Sequence, residues 1–135
     1  MAIMLRTKCP QCGELLETQG DCVCGKCGTP ISFAAMGMVQ IYRMGSPIGI
    51  AVGYGIYLNG QPYGHLANKQ SIRIPLPFGT YTLHITCGMT RKCSDLTFTL
   101  TPQAPCAYVK ARIKMGAFTN KIMIEPALPS EMPQE

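Results

Sequence analysis

Cys9-Pro10-Gln11-Cys12-Gly13 and Cys24-Gly25-Lys26-Cys27-Gly28 repeat one pattern, Cys-x-x-Cys-Gly, with eleven residues between Cys12 and Cys24. Two residues between cysteines allow a tight turn that sets both sulfurs on one side, and the following glycine supplies the backbone freedom that turn needs. Four thiolates brought together in this way make a closed tetrahedral shell for a zinc ion, with no position left for water or substrate. The expected ligands are therefore Cys9, Cys12, Cys24 and Cys27, the expected ion is Zn2+, and the expected role is structural. Cys22, two residues before Cys24, is an alternative ligand, but only Cys24 and Cys27 repeat the first pair's spacing. The same cysteines admit two other chemistries, a redox dithiol and a disulfide framework. A redox dithiol sits at a helix start in a βαβ context that lowers its pKa, and the residues around Cys9 offer no such context.

About thirty residues carry too little apolar surface to fold alone, so a bound ion would supply their folding free energy, on the order of 10 kcal/mol. The paired knuckles resemble the zinc-ribbon family over residues 1–33, with Ile3 to Lys8 and Thr29 to Phe33 as candidate strands. That resemblance implies a small β-hairpin module used for contacts with protein or nucleic acid.

The elements that follow read as β throughout. Strands are expected over Val39 to Arg43, Val52 to Leu58, Gln61 to Ala67, Ser71 to Leu76 and Thr80 to Thr86, because apolar residues there alternate with a period of two. The pattern continues over Leu96 to Thr101, Ala107 to Met115 and Phe118 to Ile124. Asn59-Gly60 is the strongest hairpin signal, since a type I′ turn needs positive φ at both central residues. Seven to eight short strands with regular turns indicate an antiparallel β-sandwich. The expected organisation is a zinc ribbon at 1–33, a linker at 34–38, a β-sandwich at 39–125 and a disordered, proline-rich tail at 126–135. The stretches from Ile56 to Gly64 and from Ile74 to Leu83 loosely resemble small bacterial sandwich domains of the PEGA type. This second resemblance implies a non-catalytic interaction module.

Charge is unevenly distributed. The chain carries net +5, and residues 31–125 hold nine basic groups against only Asp95 and Glu125. Lys110, Arg112 and Lys114 alternate on one strand, and with Arg73 and Lys121 they could form a cationic patch that displaces counterions from a nucleic acid. The plainer reading is a solvated sheet face that lysines protect from edge aggregation. Cys87, Cys93 and Cys106 could be free, paired or part of a second metal site, while His65 and His84 read as surface imidazoles. No serine triad or carboxylate pair can be assembled, so an enzyme is not expected.

The start, Met1 to Arg6, has no apolar core of the kind a secretory signal needs, and reduced cysteines fit a cytoplasmic address. The apolar stretch from Ile48 to Leu58 is too short to span a bilayer. The function expected from these residues is non-enzymatic binding or scaffolding with a protein partner. Nucleic-acid binding through Lys110, Arg112, Lys114 and Lys121 is the second class, and a thiol switch that releases zinc on oxidation is the third.

Overall fold

The computed structural model describes residues 5–18, 20–33, 36–44, 54–67, 69–86, 92–93, 95–115 and 120–131, with the backbone alone at 92–93, 113–115, 120–122 and 131. Among the described residues the chain is nearly all β, and its strands form two packed sheets and one small ribbon. The four-stranded sheet contains β6 (Tyr54–Leu58), β7 (Gln61–Leu66), β9 (Gly79–Thr86) and β11 (Leu96–Leu100) in the order β11-β9-β6-β7, antiparallel throughout.

The seven-stranded sheet is mixed. It is built from β1 (Leu5–Lys8), β2 (Leu15–Thr18), β5 (Gly37–Arg43), β8 (Ser71–Leu76), β10 (Lys92–Cys93), β12 (Cys106–Met115) and β13 (Asn120–Pro126), ordered β10-β13-β12-β5-β8-β1-β2. Three of its pairings are parallel: β10 with β13, β12 with β5, and β1 with β8. The expected mainly-β fold forms and most of its pairings are antiparallel, while the parallel ones have a physical source. Parallel neighbours need long crossover connections, and alternation along one strand carries no information about its neighbour's direction. The remaining strands, β3 (Cys22–Val23) and β4 (Pro30–Ile31), pair with each other beside the cysteine knuckles.

The period-two pattern explains how the sheets stack. Val39, Ile41, Ile72, Ile74, Leu76, Val109, Ala111 and Ile124 from the large sheet meet Tyr54, Ile56, Leu58, Leu66, Leu83, Ile85 and Leu100 from the small one in a single core. Asn59 and Gly60 have φ of 50° and 80°, the conformation expected of the tight hairpin between β6 and β7. Gly37 is required for a different reason. A Cβ there would lie 2.7 Å from the Pro105 carbonyl oxygen and 3.0 Å from Leu100 Cβ, where the chain crosses from one sheet to the other. Met38 N–H donates to that same carbonyl at 2.8 Å.

The knuckle-bearing segment shares this architecture. Leu5 lies beside Arg73, so β1 extends the large sheet past β8. Arg6, only 5% exposed, reaches across to the other sheet: its Nη1 donates to the Tyr63 and His65 carbonyls at 3.1 and 2.7 Å, and its Nη2 lies 2.9 Å from Glu17 on β2. Lys8 adds a cation–π contact to Tyr63, 4.8 Å from the ring centroid. At the far end of the core Arg43 is fully buried, stacked 3.7 Å from the Tyr54 ring and donating to the Leu66 carbonyl at 2.9 Å.

Ala127 N–H donates to the Tyr108 carbonyl at 2.8 Å, and Pro129–Glu131 form a 3-10 turn. No helix among the described residues is long and apolar enough to cross a membrane.

Candidate metal centre

Each knuckle is built by the same backbone bonds. Cys9 N–H donates to the Glu14 carbonyl and Gly13 N–H to the Cys9 carbonyl, both at 2.9 Å. In the second copy Cys24 N–H donates to Thr29 at 2.9 Å and Gly28 N–H to Cys24 at 2.8 Å. Gly13 and Gly28 have φ of 79° and 77°, with nothing near a hypothetical Cβ, so glycine is required by backbone conformation and not by space.

The sulfurs of Cys9, Cys12, Cys24 and Cys27 all lie within 4.8 Å of one another. Cys9 Sγ is 3.5 Å from Cys27 Sγ, and Cys12 Sγ is 3.7 Å from Cys24 Sγ. A tetrahedron with metal–sulfur bonds of about 2.3 Å has edges of about 3.8 Å, so the arrangement is close to a tetrathiolate shell before any adjustment. One sulfur of each pair is buried, Cys9 and Cys24, and one is exposed, Cys12 and Cys27. Ile31 packs with the buried pair, supported by Leu16, Cys22 and Phe33. The knuckles are further joined by an exposed Lys26–Glu14 ion pair at 3.5 Å, which contributes little to stability.

The polar surroundings favour thiolates unequally. The Cys12 N–H aimed at Cys9 is the main cause holding that thiol down at about 6, and the Gln11 N–H adds to it against the cost of burial. Thr29, through its hydroxyl 3.1 Å from the sulfur and its backbone N–H, lowers Cys27. Cys12 receives a favourable bond from the Glu14 N–H, yet burial and the sulfurs of Cys27, Cys9 and Cys24 push it up to about 12. Four thiolates this close repel one another, and a divalent cation between them removes that repulsion. The donor set therefore fits a soft metal ion held without an open coordination position.

Cys22 stands outside the four-sulfur cluster, half-buried and paired with Ile31 across β3 and β4. Cys106 is an exposed free thiol. Cys87 lies outside the described residues, as do Val52 and Phe118 at the starts of two expected strands, and Cys93 is described only as a backbone position in β10.

The cationic residues fall on the large sheet. Val109 and Ala111 point into the core, so Lys110 and Arg112 lie on the outward face of β12. Arg112 Nη2 is 2.8 Å from Glu125, and Glu125 also stands opposite Lys110 in the register. Lys114 is opposite Lys121, and Lys121 is opposite Lys92, which gives a cross-strand row of three lysine positions. Arg73 lies further along the sheet and donates to Gln40 Oε1 at 3.2 Å.

One pairing went unread in the sequence. His84 Nδ1 is 2.6 Å from Asp95 Oδ1, both side chains partly exposed on the outward face of the small sheet. The signal was present: His84 alternates outward with the threonines of β9, and pairing Leu83 with Leu96 brings Asp95 opposite His84.

Fold and site together define a two-sheet β protein that carries, on one edge, four cysteines clustered at metal-binding distance. No protein-family model matches the chain, and no curated protein matches it.

Proposed function

We propose that the protein is a zinc-stabilised, non-enzymatic binding or scaffolding protein that works in the cytoplasm and presents its metal-held edge to a protein partner. The observation that carries this reading is the closed four-sulfur geometry: with every coordination position taken by a thiolate, the ion orders the chain and activates no water. The free thiols support a reducing compartment. A cavity of about 310 Å3 lies where knuckle and sandwich meet, lined in part by Pro10, Pro30, Tyr63, Pro75 and Pro77. The ion would keep Pro10 and Pro30 in place against the other three, and so would hold this surface in shape.

The test is native mass spectrometry with metal analysis on the reduced chain. One zinc per chain, lost in Cys24→Ser and retained in Cys22→Ser, is the expected result. A metal-free chain, or zinc lost on mild peroxide at catalytic stoichiometry, would replace this reading with a thiol-based one.

Nucleic-acid binding is a second reading, favoured by the row formed by Lys92, Lys121 and Lys114 beside Lys110 and Arg112. It requires affinity for a nucleic acid that falls steeply with salt. Lys114→Ala combined with Lys121→Ala would then reduce the slope of log K against log salt by about 2.

A further inference from the structure

The outward face of the four-stranded sheet has chemistry unrelated to the metal centre. There β6, the turn after it, β9 and the residue preceding β11 form an open cavity of about 570 Å3, lined by Tyr57, Asn59, Thr82, His84, Thr86 and Asp95 with Gly60 at the turn. That volume falls within the roughly 300–1,000 Å3 of small-ligand clefts. The lining groups are held in place. Asp95 fixes the His84 ring through Nδ1 at 2.6 Å. Asn59, in its positive-φ turn, accepts the Thr82 N–H on Oδ1 at 2.9 Å, which orients the side-chain amide and leaves Nδ2 as a donor. Thr82 and Thr97 hydroxyls are 3.2 Å apart, tying β9 to β11 along one side. Beside the cavity a Cβ at Gly55 would lie 2.6 Å from Thr86 Oγ1, so that hydroxyl depends on a glycine across the strand.

The lining selects a ligand class by exclusion and by fit. Among the described residues no lysine or arginine lines the cavity, and a carboxylate does, which disfavours anions. A single carboxylate already bonded to an imidazole is a poor cation site. The Tyr57 and His84 rings have centroids 6.1 Å apart but are tilted by 58°, so they cannot sandwich a planar base. What remains is a neutral, puckered ring with an apolar face and a rim of hydroxyls. The Tyr57 ring would meet the C–H face. Asp95, Asn59 and the threonine hydroxyls would supply the mixture of acceptors and donors that a polyol rim requires.

We infer that this face of the small sheet is a binding site for a neutral saccharide of one or two sugar units. The site uses none of the cysteine ligands, so it stands or falls independently of the zinc reading.

The experiment is a titration of the full-length, metal-loaded, nitrogen-15-labelled protein with neutral sugars, glucose, galactose, N-acetylglucosamine and their β-1,4-linked dimers, followed by amide chemical shifts. Saturable shifts confined to β6, the Asn59-Gly60 turn, β9 and the residues around Asp95, with Kd in the millimolar range or tighter, are expected. Tyr57→Ala and Asp95→Asn should each weaken binding at least about tenfold, a loss of about 1.4 kcal/mol, and Lys110→Ala should leave it unchanged. Asp95→Asn preserves the shape of the side chain, so a dispersed spectrum with lost binding separates recognition from folding. The inference is overturned if no sugar gives a saturable shift at about 50 mM, if the shifts map to another face, or if they survive both substitutions.

Discussion

Arg6→Ala should be the most damaging single change outside the cysteines and the core. The guanidinium donates to two β7 carbonyls at 3.1 and 2.7 Å and pairs with Glu17 at 2.9 Å, while the side chain is almost fully buried. Hydrogen bonds to a charged group contribute about 1.5–3 kcal/mol each, and truncation leaves partly buried carbonyls without their donor. The Glu17 pair is half-exposed on the carboxylate side and adds less than about 1 kcal/mol. The expected loss is therefore about 3–4 kcal/mol, or roughly 10 °C in Tm for a chain of this size. Urea unfolding of the metal-loaded protein measures it, with Glu17→Ala as the internal control. If Arg6→Ala costs less than about 1 kcal/mol, or no more than Glu17→Ala, the carbonyl bonds do not dock the knuckle segment and the argument fails.

Other outcomes follow from the same geometry. Gly37→Ala should cost about 2–3 kcal/mol by overpacking against Pro105 and Leu100, whereas Gly60→Ala, with open space but φ of 80°, should cost only about 1 kcal/mol; thermal melts that reverse this order would contradict the packing described. Cys9 is held well below the ordinary thiol value, at about 6, so its thiolate favours the folded, metal-binding state above the ordinary value and that contribution is lost as pH falls through about 6. A bound cation acts in the same direction, so metal should be retained at neutral pH and released on acidification below about 6, which a chromogenic chelator reads directly; release that begins on raising the pH would refute it. Thr29→Val removes the hydroxyl 3.1 Å from Cys27 and should accelerate metal transfer to a competing chelator, with little change in the spectrum of the sandwich.

Much of this molecule was legible because its signals are local. Two knuckle motifs specified four sulfurs that the structure brings within 4.8 Å. Period-two alternation placed Ile72, Ile74, Leu83, Ile85, Val109 and Ala111 in one core. Asn59-Gly60 marked its own turn, since the positive φ that the turn needs at its two central residues is a local property of those residues. What could not be read depends on which strand lies beside which. The parallel neighbours of β5, β1 and β13 and the docking of Arg6 on β7 all join segments far apart in the chain. Short strands such as β3 and β10, two residues each, have too few positions to show any period.

The placement of β1 has a consequence for the life of the chain in a crowded solution. β8, with Ile72 and Ile74 buried on its inner side, would be the edge of the large sheet if β1 were absent, and an open edge of that composition is a template for pairing with another molecule. β1 and β2 cover it and move the edge outward to a four-residue strand that carries Glu17. The first cysteine pair sits in the connection between these two strands, so whatever orders the knuckles also keeps the edge closed. Starving the chain of metal should therefore appear first as self-association rather than as loss of β structure, with the defect located at Ser71–Leu76, far in sequence from any cysteine of the cluster.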